Sequence, residues 1–376
     1  MKKTYRKNSI AMKLILAVLI LLLSFQAALA TDAAADACEK GVAFYQQEQY
    51  EMALAALETA IELNPDYTLA YIYKGYTYFE LDSYEEALAA FAKAIELEPI
   101  YPSVFFAKGT ILYMLELYEE AVVDFSKAIE LDPDFVNAIN DRGTCYYMLG
   151  RYEEAIADFT KEIEMDQTDY VAYSNRAASY RMLWRWDEAL ADYTASITLA
   201  PGYANDYFYR GYVYYALRRY EEAVADFTKA IEADPYSAIA YYNRGDCLYY
   251  QGFYEEAIED YTKAIELYPD YIDAINNRGN AYFILGRYEE AIEDYTAEIL
   301  LDPEDDISFS NRGSVYYALQ RYEEAIADYT EAILRNPAEA DYYNYRFLAY
   351  QAMGKTEEAA ADYATYLELV GGSGNP

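Results

Sequence analysis

Hydrophobic and polar residues follow the period of an α-helix along most of this chain. In the stretch INNRGNAYFILGRYEEAIEDY (275–295), Ile275, Gly279 and Tyr282 have the spacing of the inward face of a helix. Arg278 falls on the same face, where an apolar residue is expected. This arginine therefore needs either a partner inside the fold or a role in binding.

The helical pattern recurs every 34 residues. Within one period it predicts a first helix (helix A) over about 272–285 and a second (helix B) over about 288–301. Pro303 then ends helix B, because proline has no backbone N–H to donate. An alanine of helix B keeps the period ten times, at 53, 87, 121, 155, 189, 223, 257, 291, 325 and 359. The proline keeps it at 65, 99, 133, 201, 235, 269, 303 and 337, and Gln167 fills the one vacant place.

These fixed positions resemble the tetratricopeptide repeat family. Its signature, W-x2-L-G-x2-Y, then A-x3-F and P, is matched by Ile275-x2-Arg278-Gly279-x2-Tyr282, then Ala291-x3-Tyr295 and Pro303. The resemblance implies an all-α, right-handed superhelical solenoid in which each helix A lines the concave surface. Arginine in place of leucine, Gln167, Ala177 and a degenerate last repeat depart from the signature. Ten repeats fit: 34–67, 68–101, 102–135, 136–169, 170–203, 204–237, 238–271, 272–305, 306–339 and 340–373.

The first thirty residues have the composition of a secretory signal. Five Lys and Arg residues precede the apolar run 14–25, and Ala28 and Ala30 form a small-x-small cleavage pattern. We predict a signal peptide at 1–30, then a short lead-in at 31–33, with a tail at 374–376. The alternative is an uncleaved membrane anchor that leaves the repeats facing outside, because residues 14–31 carry no charge.

The basic position of helix A has an acidic counterpart sixteen residues later in helix B. It is Lys in the first three repeats and Arg in the other seven, and every Arg has an Asp. Helices A and B run antiparallel, so the two positions lie at the same height and can form a two-bond ion pair. A partly buried Arg without a partner would be costly. We therefore predict a structural salt-bridge row: Arg142–Asp158, Arg210–Asp226, Arg244–Asp260, Arg278–Asp294 and Arg312–Asp328.

The candidate binding residues lie on helix A, at repeat positions that a helical wheel places opposite the core stripe. Position 6 is Asn175, Asn243, Asn277 and Asn311, and asparagine can pair with both backbone groups of a peptide. These four positions resemble the asparagine ladder of O-linked N-acetylglucosamine transferases, although no catalytic domain accompanies them. Position 12 is aromatic, as in Tyr147, Tyr215, Tyr249, Phe283 and Tyr317. The alternative is structural: asparagine solvates a helix face and tyrosine packs between repeats.

An irregular zone at 167–186 offers a second candidate site. Arg181 stands where other repeats have an aromatic residue, and Trp184 replaces a turn residue. Trp and Arg are common binding anchors. The alternative is a local bend in the array of repeats.

Composition narrows the function further. The chain of 376 residues has no histidine and a formal net charge of −36, which disfavours nucleic acid as a partner. The repeats leave no insertion for a catalytic loop, so we expect neither an enzyme nor a cofactor. We predict a secreted, periplasmic or cell-envelope scaffold that binds a partner peptide or protein, with membrane contact only through an uncleaved signal segment. The alternatives are binding of an envelope polysaccharide and architectural self-assembly.

Overall fold

The computed structural model describes residues 33–372 and contains 20 α-helices in that range, with no β-strand. The all-α prediction is therefore confirmed. The predicted signal peptide at 1–30 and the tail at 374–376 lie outside the described residues. Within the described range, no helix is both long enough and apolar enough to cross a membrane.

The helices group into two compact units, residues 33–165 and 166–372. The first unit contains α1 (Ala33–Gln46), α2 (Tyr50–Leu63), α3 (Thr68–Glu80), α4 (Tyr84–Leu97), α5 (Pro102–Met114), α6 (Tyr118–Leu131), α7 (Val136–Met148) and α8 (Tyr152–Met165). The second contains α9 (Tyr170–Met182), α10 (Trp186–Leu199), α11 (Ala204–Ala216), α12 (Tyr220–Ala233), α13 (Ala238–Gln251), α14 (Tyr254–Leu267), α15 (Ile272–Ile284), α16 (Tyr288–Leu301), α17 (Asp306–Ala318), α18 (Tyr322–Arg335), α19 (Ala340–Ala352) and α20 (Thr356–Gly372). Odd-numbered helices are helix A of a repeat and even-numbered helices are helix B.

The turn between helices A and B has one backbone conformation in every repeat. The residue two positions before helix B has a positive φ, as at Gly286 (+73°), where a residue without Cβ is least strained. The N–H of Arg287 donates to the carbonyl of Tyr282 at 2.9 Å, which closes the last turn of helix A. Helix B then has two glutamates in its first turn, Glu289 and Glu290, whose negative charge is stabilised by the positive end of the helix dipole.

Small residues let the two helices of each repeat approach closely. A Cβ added to Gly279 would lie 3.0 Å from Cε1 of Tyr295, and Ala291 is fully buried in the same contact. The last repeat departs from this arrangement, because Phe347 replaces the glycine and stacks on Tyr363 with ring centroids 5.0 Å apart. Within each unit, the cores are chains of such contacts between one helix pair and the next.

Candidate protein-binding site

Arg278 connects its own helix, α15, to two neighbouring helices. Its Nε and Nη2 donate to the two carboxylate oxygens of Asp294 on helix B of the same repeat, at 2.9 and 2.7 Å. Its Nη1 donates to Oγ1 of Thr262, on helix B of the preceding repeat, at 3.0 Å. Three of the five N–H donors of this guanidinium are therefore used inside the protein, which makes Arg278 a strut between helices.

We call this set of contacts the arginine staple. Its geometry is two hydrogen bonds to an aspartate and one to a hydroxyl sixteen residues earlier in sequence. Sequence reasoning found the aspartates but missed the hydroxyls, although the Ser/Thr positions keep the same period. The staple recurs at Arg142 with Asp158 and Ser126, Arg210 with Asp226 and Thr194, Arg244 with Asp260 and Thr228, Arg312 with Asp328 and Thr296, and Arg346 with Asp362 and Thr330.

We call repeat positions 2, 6, 9 and 13 of helix A the helix A face; its middle positions are exposed in some repeats and buried in others, as at Tyr73 and Tyr76 (both 1% exposed). Its spacing of four, three and four residues keeps these side chains on one side of the helix. At least one end of the face is apolar and exposed in the fifth, seventh, eighth and ninth repeats, whereas the sixth repeat exposes its two middle residues, Tyr209 and Tyr212. The exposed apolar residues at the ends of the face in the second unit are Val171, Met182, Ile239, Tyr250, Ile284 and Ile307, and those in the first unit include Met114 and Met148.

The predicted asparagines lie on this face but have different environments. Asn277 donates to Oδ1 of Asp246 at 2.9 Å and to the hydroxyl of Tyr242 at 3.3 Å, which ties α15 to α13. Asn243 is buried and donates to the backbone carbonyl of its own helix at Ile239. The side chains of Asn175 and Asn311 are half-buried and form no hydrogen bond with any residue that the structure describes. Only these last two keep both amide groups available for a ligand.

Asp246 is the centre of a buried polar cluster that sequence reasoning missed. Its Oδ1 accepts hydrogen bonds from the Tyr261 hydroxyl at 2.8 Å and from Asn277. Burial raises the pKa of this carboxyl, and the hydrogen bonds from Tyr261 and Asn277 partly offset that rise. The middle of the helix A face is thus already occupied by internal contacts at this joint.

The aromatic residues at position 12 face the protein rather than solvent. Each is half-buried and lies against the aromatic residue that opens helix B, five positions later. The helical wheel treated helix A as isolated, whereas the tight turn folds helix B back over this position. The ring pairs and centroid distances are Tyr147–Tyr152 (5.4 Å), Tyr215–Tyr220 (5.9 Å), Tyr249–Tyr254 (5.3 Å), Phe283–Tyr288 (5.8 Å) and Tyr317–Tyr322 (5.4 Å).

The two candidates of the irregular zone separate in the structure. Arg181 packs its guanidinium 5.0 Å from the ring centroid of Tyr209, on helix A of the following repeat. Trp184 is 76% exposed and touches Trp186 with ring centroids 5.6 Å apart. Trp184 also has a φ of +62°, at the turn position where four other repeats have glycine. Of this pair, only Trp184 presents a surface to a partner.

Sequence models of known families match most of these repeats. A model described as tetratricopeptide repeat matches residues 102–135, 204–237, 238–271 and 307–338. Related models of the same repeat match 38–104, 279–320, 125–157 and 260–293. No curated protein matches the sequence significantly.

Several solved structures align with parts of this chain. The C-terminal part of a TPR repeat-containing protein from Cytophaga hutchinsonii aligns with a TM-score of 0.56 and 18% identity, covering 63% of this chain and 97% of that one. YrrB, described as a TPR protein with an unusual peptide-binding site, aligns with a TM-score of 0.45 and 28% identity, covering 48% of this chain and 92% of that one. MamA aligns with a TM-score of 0.43 and 23% identity, covering 44% and 91%.

Proposed function

Because this chain belongs to the tetratricopeptide repeat family, whose members are protein-interaction scaffolds, we propose that it binds an extended segment of a partner protein along its helix A face. The observation that carries this proposal is the exposed apolar residues at the ends of that face in consecutive repeats. Ile239 and Ile307 lie at position 2 of their repeats, and Tyr250 and Ile284 lie at position 13. Exposed apolar residues bordered by polar groups are typical of interaction sites.

The second unit supplies the clearest part of this surface. Ile239 and Tyr250 of α13, Ile284 of α15 and Ile307 of α17 are all exposed, and Tyr250 is 58% exposed. These residues belong to three consecutive repeats. An apolar patch of this kind gains free energy when a partner covers it, because apolar surface leaves water.

The spacing of the helices favours an extended ligand. Helices in contact lie about 8–10 Å apart, which is roughly three residues of an extended chain. A ligand with apolar side chains about three residues apart would therefore meet Tyr250 and then Ile284, which share position 13 in neighbouring repeats. The free amide of Asn311 lies on the same face and can pair with a peptide backbone.

Site-specific photo-crosslinking in cells tests this proposal. A photoreactive residue at Ile239, Ile284 or Ile307 should capture the same partner protein, identified by mass spectrometry. The same residue at Leu300, an exposed leucine of helix B (77% exposed), is the matched control and should not capture it. Equal capture from Leu300 would reject the helix A face as the binding site.

We also propose that the scaffold acts outside the cytoplasm. The support is the basic start, apolar run and small-x-small pattern of residues 1–30. Sequencing the N-terminus of the protein purified from its host tests this, since cleavage after Ala30 would leave Thr31 as the first residue. An intact N-terminus in a membrane fraction would instead favour an anchored form.

A further inference from the structure

The N-terminal end of the first unit has an open groove between α1 and α2. Its volume is about 530 Å³. Small alanines and larger apolar side chains line it, and Asp36, Lys40 and Thr59 are its polar lining residues. The residues that define this end groove are Ala37, Lys40, Phe44, Met52, Ala56 and Leu63.

In later repeats the equivalent surface is covered by the preceding repeat. Lys74 holds the position of Lys40 in the second repeat, and its Nζ donates to Glu58 of α2 at 3.0 Å. Lys161 and Arg335, at two further positions that line the groove in the first repeat, donate to the backbone carbonyls of Pro133 and Pro303 at 2.6 and 2.7 Å. The end groove is therefore the site where a preceding helix B packs elsewhere in the chain.

The first repeat has unused groups at this site. Lys40 forms no ion pair or hydrogen bond with any residue in 33–372. Its counterpart in helix B is Ala56, whereas the third repeat pairs Lys108 with Asp124 at the same two positions. The ammonium group of Lys40, whose equivalent Lys108 is paired in the third repeat, thus faces the groove.

The last helix that the structure describes, α20, differs from helix B of most other repeats at the surface that would enter such a groove. In most repeats a small alanine stands where α20 has Tyr366, whose ring lies 6.2 Å from that of Tyr363. The bulk of Tyr366 on this face would prevent the close approach that Ala60 or Ala94 allows. A second copy docked end to end is therefore disfavoured as the occupant of the groove.

We propose that the end groove binds an amphipathic α-helix of a partner protein in the place of a preceding helix B, with a carboxylate of that helix facing Lys40. The Lys74–Glu58 contact is the precedent for this charge pair within the chain itself. The site is separate from the helix A face, so either surface can function when the other is changed.

The probe for this site is a fluorescent, hydrocarbon-stapled peptide of residues 50–63, the helix B that covers the equivalent surface of the second repeat. The staple is needed because a helix this short is marginal alone in water. The full chain should bind the peptide, as measured by fluorescence anisotropy. Ala56→Asp should weaken binding at least about tenfold, because the new carboxylate engages Lys40 and repels Glu58 of the peptide.

The matched control is Ala90→Asp, the same change at the same position of the second repeat. It should leave peptide binding unchanged, because α2 already covers that joint. Both variants recreate the Lys108–Asp124 pair and should keep the fold. A charge reversal sharpens the result: Glu58→Lys in the peptide should abolish binding to the native chain and restore it to Lys40→Glu.

Several outcomes would overturn the proposal. The first is that the peptide does not bind to the full chain. The second is that Ala56→Asp and Ala90→Asp weaken peptide binding equally. Binding only after removal of residues 1–30 would assign the groove to the chain's own leader. A dimer in sedimentation velocity that Ala56→Asp dissociates would assign it to a second copy.

Discussion

The first three repeats and the later ones solve the same packing problem with different side chains. Among the residues that the structure describes, Lys74 donates a hydrogen bond only to helix B of the preceding repeat, at Glu58, whereas Lys108 donates one only to helix B of its own repeat, at Asp124. Arg278 reaches both neighbours at once, through Asp294 and Thr262. A guanidinium has five donors in a planar fork, so it can join three helices where an ammonium on a flexible stem joins two.

This difference teaches that the joints between repeats are not equivalent. The lysine joints depend mainly on apolar contact. The arginine joints add a hydrogen-bond network in which removing one side chain leaves another buried without its partner. The four predictions below test this comparison, from the largest expected effect to the smallest.

Arg278→Leu should have the largest effect. It leaves the carboxylate of Asp294 buried without its partner, so we expect the free energy of unfolding to fall by about 3 kcal/mol. The double variant Arg278→Leu with Asp294→Leu should recover part of that loss, because two packed apolar side chains replace the pair. Urea unfolding and hydrogen exchange of α15 and α16 measure both. If the double variant is no better than the single one, the staple has no coupling energy.

Glu298 should make stability depend on pH. This carboxyl is 4% exposed and accepts two hydrogen bonds from Asn276, at 2.9 and 3.0 Å. Burial raises its pKa from 4.5 to about 7, the hydrogen bonds from Asn276 and Ser308 oppose that rise, and Asp305 and Asp273 add to it. The folded state therefore holds this proton more tightly than the unfolded chain does.

The stability that Glu298 contributes should be complete below about pH 4.5 and should fall as the pH rises through about 7, by at most about 3 kcal/mol. Glu298→Ala, the residue found at this position in six other repeats, should lower that slope in urea titrations across this range. Part of the slope should remain, because burial raises the pKa of Asp141 to about 7 as well. The exposed Glu289→Ala is the control and should leave the slope intact. An unchanged slope in Glu298→Ala would show that Glu298 does not contribute to it.

Building a staple in the third repeat should stabilise it. Lys108→Arg with Ala92→Thr supplies the guanidinium and the preceding hydroxyl, and Asp124 is already in place. We expect a gain of about 1 kcal/mol, the usual size of an added hydrogen bond with a charged donor. Differential scanning calorimetry would measure it, with Lys108→Arg alone as the comparison. An equal gain from Lys108→Arg alone would argue that the hydroxyl adds nothing.

Trp184→Gly should give the smallest change in stability and the most informative change in binding. The variant relieves a positive φ, so we expect a gain of about 0.5–1 kcal/mol in the free energy of unfolding. Gln320→Gly, at the same turn position with a φ of +60°, should give a similar gain. If Trp184 is a binding anchor, only Trp184→Gly should lower capture of the partner. Unchanged capture would remove Trp184 from the candidate site.

Much of the fold could be predicted because its signals are local and repeat ten times. The helix pair predicted at about 272–285 and 288–301 is observed as α15 (Ile272–Ile284) and α16 (Tyr288–Leu301). The direction of position 12 could not be predicted from one helix, because the turn brings helix B over it. The apolar residues at the ends of the helix A face are visible in the sequence. Only the structure shows which of them are exposed, because exposure depends on how neighbouring helices pack.

The sequence by itself determined the period, the helix boundaries and the pairing of Arg278 with Asp294, because these depend on helical spacing and on complementary charge at matched heights. Only the tertiary structure decided which polar side chains remain free. Asn243 and Asn277 occupy the same repeat position, yet Asn277 meets Asp246 of the preceding repeat, while Asn243 has Tyr212 there and turns back to its own helix. The fate of each side chain depends on a residue 31 places earlier in sequence, which becomes a neighbour only when the helices stack.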